Sequence, residues 1–494
     1  MSLLKKRYKK SVKKEVLRMK SHISKILNLC IIFVFMVASA VTVQAASNDP
    51  ELEQLKATIN QMQKTIEQQN QRIEELEKAK AAPAPVVVQP VKEVAPVPEI
   101  AGTPSPVAPR GALSDQQEAA PRLGDLTLDP KYHGFFHIPN TNVLLKFNAK
   151  PRVDMTIDDE NAGDDNRFIT ARIPVDGEPR KGGGSRFNIN SKGSQFRIDA
   201  RAPHVDGSPR FYFQNDFYGS GSNDLNLRIQ HMYGQFYNII VGKTYGVFED
   251  PDVWPDTVDY EGPNSMLFVR RELVRFQLPV SKEWHLNFGL EKPTAQVDNS
   301  IDENLETIKK YPEVGVNARW ERAGVGHVQL SSIFRDIRIR SDVVDDDSVF
   351  GWGFNVGAGI DITKNDSMQA LVVYGEGIGA LGNDSGFDNT DAAFDDDGDL
   401  EALPYFSGML GFTHRWSDIW RSTVSYGYVN VDNEDSQGRK AYHETHYASG
   451  NLIWQMFKRL SVGLEGLYGL RKTKDDSEGD VFRVQVGLLY SIFD

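Results

Sequence analysis

The chain has 494 residues, 40% of them hydrophobic, and a formal net charge of −12. This length allows either two or three soluble domains or one large barrel with appendages. The acidic balance argues against a nucleic-acid partner, because such proteins present basic surfaces to phosphate. The one cysteine, Cys30, lies in an apolar stretch near the start, which excludes a disulfide framework and a thiolate metal site from the rest of the chain.

Residues 1–45 are typical of a cleaved export signal. A positively charged N-terminal region precedes an apolar run over residues 26–37. Small residues follow, up to a predicted cleavage site after Ala45. A start at Met19 would give a lead of ordinary length. The alternative is an uncleaved anchor over residues 23–43, but the small residues favour cleavage. No later segment approaches about 18 continuous apolar residues, so any further membrane insertion requires a barrel.

Residues 46–80 carry a heptad repeat that predicts a coiled coil. The two rows of the repeat are Leu52, Ile59, Ile66 and Ile73, and Leu55, Met62, Gln69 and Leu76. Such a strict repeat indicates self-association. β-branched residues in the first row with leucine in the second favour two chains by rule, although the repeat predicts oligomerisation more firmly than the number of chains.

Residues 81–140 are predicted to form a proline-rich linker that leads to the next domain. Prolines recur throughout its first half, where they fix φ and prevent a helix, so we expect an extended, semi-rigid spacer. A proline-rich ligand for a signalling domain is the alternative.

Residues 141–494 show strand after strand with alternating apolar and polar residues, as in Gln195 to Arg201 and Trp284 to Glu291. A soluble sandwich also alternates, so the connections decide between the two folds. The strands are predicted to begin near residues 143, 188, 208, 225, 238, 267, 283, 311, 325, 349, 367, 403, 419, 441, 460 and 480. Their connections are alternately long and tight, as an outer-membrane barrel requires. The predicted fold class is all-β, a 16-stranded antiparallel transmembrane β-barrel preceded by a coiled-coil helix and a proline-rich linker.

Four stretches resemble the DcaP-like porins: ELEQLKATINQMQKTIEQQNQRIEELE, RFNINSKGSQFRIDAR, PRFYFQNDFYG and LRIQHMYGQFYNIIVGKTYG. The resemblance covers nearly all of the chain after the signal. It implies a homotrimeric porin in the outer membrane of a Gram-negative bacterium, in contact with lipid and lipopolysaccharide. It also implies that the coiled coil lies in the periplasm and that the pore admits small anions such as dicarboxylates.

Alternation predicts which basic residues line the pore, because apolar positions should meet lipid and their neighbours should face the lumen. The predicted set is Lys146, Lys150, Arg152, Arg197, Arg201, Arg210, Arg228, Arg271, Arg275 and Arg319. Basic pore walls select anions, and the planar guanidinium fits a carboxylate. The alternative is that these arginines only pair with Asp154, Asp199, Asp216 and Glu313 to hold the barrel interior.

The third outside loop, near residues 246–265, is long and acidic. Resemblance to trimeric porins suggests that it folds into the pore as a constriction. Its acids are Glu249, Asp250, Asp252, Asp256, Asp259 and Glu261. Opposite a basic wall they would create a transverse field that favours dipolar or doubly charged solutes. A solvated surface loop is the alternative.

The sequence contains no phosphate-binding loop, nucleophile elbow or paired-acid motif, so we predict no enzyme, cofactor or metal site. His443 and His446 would face opposite sides of a strand, and the acidic run 395–399 lacks the EF-hand spacing. The predicted function is a passive diffusion channel. One alternative is a structural tether in which the coiled coil binds the cell wall and conductance is incidental. Another is a barrel lipase, for which no Ser-His pair can be placed.

Overall fold

The computed structural model describes residues 134–221, 225–344 and 346–492. The predicted signal, the predicted coiled coil and nearly all of the predicted linker lie outside these residues. Within them, no helix has the length and apolar character needed to cross a membrane.

The described chain is built almost entirely from strands. The first twelve strands are β1 Phe136–His137, β2 Leu144–Lys150, β3 Arg152–Asp158, β4 Arg186–Asn190, β5 Gln195–Arg201, β6 Arg210–Asp216, β7 Arg228–Phe236, β8 Ile239–Tyr245, β9 Arg270–Pro279, β10 Trp284–Glu291, β11 Glu306–Thr307 and β12 Glu313–Arg322. The others are β13 Gly326–Arg340, β14 Ser348–Asp361, β15 Asp366–Glu376, β16 Ala392–Phe394, β17 Leu400–Ala402, β18 Pro404–Arg415, β19 Trp420–Val431, β20 Tyr442–Phe457, β21 Leu460–Thr473 and β22 Glu478–Tyr490. Short 3-10 helices occur at Thr170–Arg172, Pro251–Val253, Gly379–Leu381 and Ser385–Phe387.

Twenty of the strands in the described part of the chain form one sheet, and β16 and β17 form a separate hairpin. The antiparallel ladder runs from β2 to β5 and onward through successive strands to β22. β22 then pairs with β3, which places Gly487 opposite Asp154. Because β2 and β3 are consecutive in the chain, this last pairing closes the sheet into a barrel.

The ladder has two adjacent interruptions. Pro151, which has no N–H to donate, separates β2 from β3. Residues 191–194 separate β4 from β5 with a turn in which Ser194 N donates to Ser191 O at 3.0 Å. The Arg152 amide donates to Ser194 Oγ at 3.0 Å, which joins the two interruptions.

The two faces of the wall differ as the alternation predicts. On the outside, Phe354, Leu410 and Val424 are each more than half exposed. Their neighbours Asn355 and Thr423 point inward and are buried. An apolar outer face and a polar inner face suit a wall between lipid and an aqueous lumen.

The strand positions agree closely with the prediction, since each predicted start lies within three residues of the start of a strand. The connections also alternate as predicted. Short turns such as residues 237–238 and 458–459 lie at one end of the barrel. Long connections such as residues 246–269 and 377–403 lie at the other end. The described part of the chain is therefore an all-β barrel with one end carrying most of the loop residues.

Candidate functional site in the barrel lumen

The connection between β8 and β9, residues 246–269, is named here the inward loop because it folds against the inner wall. Val247, Phe248 and Val253 in it are fully buried. Its backbone carbonyls accept hydrogen bonds from side chains of β12, β14 and β13: Asn317 to Val247 O at 2.8 Å, Asn355 to Phe248 O at 2.8 Å and Gln329 to Glu249 O at 3.0 Å. The first half of the loop is thus fixed to three strands.

The second half of the inward loop continues around the wall. Asn451 of β20 donates to Asp256 O at 2.8 Å. The Asp259 amide donates to Glu465 of β21 at 2.5 Å. Tyr260 then donates through its hydroxyl to Asp216 of β6 at 2.9 Å. The loop therefore crosses from one side of the barrel to the other and is enclosed by the wall rather than by solvent.

Glycines on the inner face of the wall make room for this loop. A Cβ atom at Gly357 would lie 2.5 Å from Asp250 Oδ2, and one at Gly487 would lie 2.8 Å from Val258 Cγ1. Gly289 and Gly411 are similarly close to Val247 and Pro255. Contacts this short are sterically forbidden, so the path of the loop depends on these glycines. These glycines are not among the residues predicted from the sequence, although glycines at inward positions of several strands were a visible signal.

Acidic side chains of the inward loop form ion pairs with arginines of the barrel wall. Arg271 contacts Glu249 at 3.3 Å as well as Glu291 and Glu313 from neighbouring strands. Arg319 contacts Asp250 at 3.2 Å and Asp252 at 2.7 Å. These acids therefore neutralise part of the basic wall directly instead of facing it across an open gap.

The remaining loop acids have different surroundings. Asp256 pairs with Arg421 at 2.5 Å, and Glu261 lies 3.6 Å from Arg167. Asp259 accepts hydrogen bonds from Gly262 N at 3.0 Å and from the Tyr447 hydroxyl at 3.3 Å. Burial raises the pKa of Asp259 well above its usual value, and Glu465 and Glu261 nearby raise it further.

Several of the predicted pore arginines pair with acids of the wall. Arg152 contacts Asp154 at 2.7 Å, and Arg228 contacts Asp216 at 2.5 Å. Asp199 is shared by Arg201 at 2.7 Å and Arg210 at 3.0 Å. Glu313 pairs with Arg271, as described above. Asp154, Asp199, Asp216 and Glu313, the four acids of the alternative interpretation, are thus all ion-paired. Ion pairing therefore holds these side chains in defined positions on the inner wall.

The other predicted pore residues are held by polar and aromatic groups. Arg197 donates to Gln195 at 3.0 Å, and Arg275 donates to the carbonyls of Tyr245 and Gly246. The Lys146 ammonium lies 6.0 Å from the Phe135 ring centroid. Lys150 is buried beside the Pro151 interruption.

The ten predicted basic residues differ in the solvent exposure of their side chains. The side chains of Arg228, Arg201 and Arg319 are 31%, 16% and 12% exposed. Those of Arg152 and Arg271 are nearly enclosed. Arg335, Arg421 and Arg483 share the inward parity but are not in the predicted set. The same alternation would have identified all three.

A second loop also enters the lumen. Residues 377–403, named here the mouth loop, connect β15 to β18. Asp384 in this loop is buried and accepts hydrogen bonds from Ala171 N at 2.9 Å, Thr445 Oγ1 at 3.0 Å and the Tyr442 hydroxyl at 3.1 Å. Asp384 therefore joins the mouth loop to the first long loop and to β20. Burial raises its pKa to about 6.

No group of three or more His, Cys, Asp or Glu residues that could hold a metal ion occurs in the part of the chain that the structure describes. The arrangement is instead that of a polar lumen in a closed barrel, narrowed by loops from one end. This is the architecture of an outer-membrane porin.

Comparison with known proteins gives the family. Residues 136–492 match the family described as DcaP outer membrane protein, and the chain belongs to this family. The resemblance seen in the sequence is thereby confirmed, as is the outer-membrane location of the barrel. No curated protein sequence matches the chain.

One of the similar solved structures shows the same fold. The outer membrane channel DcaP of Acinetobacter baumannii is 21% identical, with a TM-score of 0.65 over 73% of this chain and 100% of that chain. An anion-selective porin from Comamonas acidovorans is 12% identical, with a TM-score of 0.46 over 71% of this chain and 99% of that chain.

Substitution of Gly357 by valine should displace the inward loop, because the new side chain would overlap Asp250. We expect a loss of about 1–3 kcal/mol of stability, as for other overpacked interiors. The loss of stability can be measured by heating the protein and recording the temperature at which the fast-migrating folded form disappears in gel electrophoresis. Gly408→Val is the matched control, since the nearest atom to its Cβ is 3.8 Å away. Equal melting temperatures of the two variants would contradict the described position of the inward loop against β14.

Asp384→Asn should stabilise the barrel in a pH-dependent way. The pKa of Asp384 in the folded chain is about 6, above its ordinary value of 3.8. The wild type is therefore most stable below the unfolded pKa and loses stability as the pH rises through about 6. We expect the melting temperatures of wild type and variant to diverge between about pH 4 and pH 7, with the variant higher at pH 7 by an amount equivalent to about 2–3 kcal/mol. A difference that does not change with pH would refute this assignment.

Proposed function

We propose that this protein is a passive diffusion channel that favours small anions, dicarboxylates among them. Membership of the outer-membrane family supports a porin. The observation that carries the anion preference is the concentration of guanidinium groups on the inner faces of β5 to β7. There Arg201 and Arg210 share Asp199, and Arg228 keeps nearly a third of its side chain exposed. A basic wall of low dielectric focuses its field on a solute in the lumen.

The inward loop is proposed to be the constriction. Its path across the lumen brings Asp250 and Asp252 onto Arg319, whose side chain stays partly exposed. Because these acids neutralise arginines on the β9 to β13 side, we expect the positive field to be strongest at the wall formed by β5 to β7. A solute with two carboxylates would then move along this wall, where the guanidinium forks match its geometry.

The barrel is proposed to cross the membrane with sixteen strands. This count takes β2 with β3 as one interrupted strand, and β4 with β5 as another. It leaves out β1 and β11, which have two residues each, and the separate hairpin of β16 and β17. An even number follows for strands joined by alternate turns and loops.

The assembly is proposed to be a homotrimer whose N-terminal coiled coil lies in the periplasm, as the family resemblance implies. Outer-membrane lipid and lipopolysaccharide would contact the apolar outer face. The heptad repeat of residues 46–80 would then help to hold the protomers together.

The reversal potential of single channels in a potassium chloride gradient tests the anion preference. Wild type should favour chloride, and the double variant Arg201→Gln, Arg228→Gln should reduce the anion-to-cation permeability ratio about twofold or more. The control is Arg338→Gln, because Arg338 lies on the outer face of β13, where it pairs with Asp336 at 3.2 Å. Cation preference in the wild type would refute the proposal.

Deletion of residues 47–110 separates a channel from a tether. We expect the truncated protein to keep the single-channel conductance of the wild type, because the barrel alone forms the pore. Its trimers should dissociate more easily, because the predicted coiled coil is removed. Measurement of both properties on the same purified sample checks this, and loss of conductance with intact barrels would count against it.

A further inference from the structure

The mouth loop fills part of the lumen with apolar side chains. Ile378, Leu381 and Leu403 are fully buried in it. They belong to a cluster with Leu371 and Val373, which point inward from β15. Packed apolar side chains leave no room for water or ions. This sector of the lumen, next to β13, β15 and β18, is therefore closed to solutes.

The mouth loop also holds the returning half of the inward loop. The main-chain N–H of Asn383 donates a hydrogen bond to Met266 O at 2.7 Å. Its side chain donates to Glu261 O at 2.8 Å and to Pro263 O at 3.3 Å. Leu267 and Gly382 form an isolated antiparallel bridge beside these bonds. One side chain, Asn383, thus ties together two loops that are more than a hundred residues apart in the chain.

A buried ion pair fixes the mouth loop to the wall. Arg335 of β13 is fully buried and contacts Asp391 at 2.9 Å and Glu313 at 2.9 Å. Asp391 also accepts hydrogen bonds from Ala380 N at 2.8 Å and Gln296 N at 2.9 Å. Because a buried charge that loses its partner is strongly destabilised, this contact resists detachment of the loop.

We infer that the mouth loop is a second constriction element that, through Asn383, positions the inward loop and so sets the width of the passage. This inference rests on the proposed channel function. The two loops are joined by the hydrogen bonds of Asn383 and by apolar contacts, since Met266 and Leu267 share a cluster with Leu381. The anchor at Arg335 pairs with Asp391 and not with Asn383. Asn383 is therefore a positioning residue, and its removal should loosen the inward loop without detaching the mouth loop.

Two variants test the inference. In the first, residues 378–403 are replaced by a short Gly-Ser linker, which removes Ile378, Leu381 and Leu403 and with them the apolar filling. In the second, Asn383→Ala removes the side-chain bonds to the inward loop. Asp397→Asn is the control, because Asp397 lies at the exposed tip of the same loop. Single-channel conductance and the uptake of neutral sugars of increasing size into liposomes are the measurements.

We expect the linker variant to raise the conductance about twofold or more and to admit larger sugars than the wild type. Asn383→Ala should give a smaller rise together with greater current noise in the open state, and the control should match the wild type. A merely structural role of Asn383 would lower the yield of folded barrel and leave these properties unchanged.

The outcomes distinguish this inference from the proposed function. If wild-type protein conducts but Asn383→Ala has the same conductance, noise and sugar limit, the inference is wrong and the channel function stands. If folded wild-type protein carries no current, both are wrong. Should the linker variant fail to fold, Asn383→Ala alone decides.

Discussion

The structure depends on the hydrogen-bonded seam between β22 and β3. In lipid, each backbone N–H and C=O needs a partner within the protein, so a sheet can cross a membrane only if its last strand pairs with its first. Closure fixes the rest of the architecture. It gives each strand an outer and an inner face, and because successive side chains of a strand point to opposite sides, they alternate between lipid and lumen. It also leaves an interior into which the long loops of one end can fold.

Electrostatics organises that interior. Carboxylates and guanidinium groups are enclosed together, as in the set formed by Arg271 with Glu249, Glu291 and Glu313. Enclosing a charge is costly unless it is paired and hydrogen-bonded, so these sets hold the loops in defined positions. The same pairing divides the wall into parts that are neutralised by the loops and a part, on β5 to β7, where arginines are concentrated. Structural and functional roles of the arginines are therefore compatible within one barrel.

Much of the fold could be predicted from the sequence, because its strongest signals are local. A two-residue period sets the faces, and the alternation of long and tight connections distinguishes a barrel from a sandwich. The inward parity of Arg201 followed from that period alone, whereas the inward position of Arg228 also depends on the register shift where β6 pairs with β7. Pro151 could be seen in the sequence, but the strand interruption that it shares with residues 191–194 depends on a contact between neighbouring strands.

The loops were less predictable, because their positions depend on contacts distant in the chain. Asn383 meets Glu261 and Pro263 only after the barrel closes, and no pattern near residue 383 indicates it. The acids of the inward loop were expected to face the basic wall, whereas the structure places Asp252 in contact with Arg319. Gly357 and Gly487 looked like ordinary strand glycines, yet both lie under the inward loop.

The two-faced wall is the central claim, and single cysteines placed along β10 test it most directly. Cys30, in the predicted signal, is the one native cysteine, so each introduced thiol in the processed chain can be followed alone. In bilayers, a charged thiol reagent should react at positions 285 and 287, whose native side chains point inward. A fluorophore attached at positions 286 and 288 should be quenched by brominated lipid. Equal reaction with the charged reagent at all four positions, or the reverse pattern, would contradict the account.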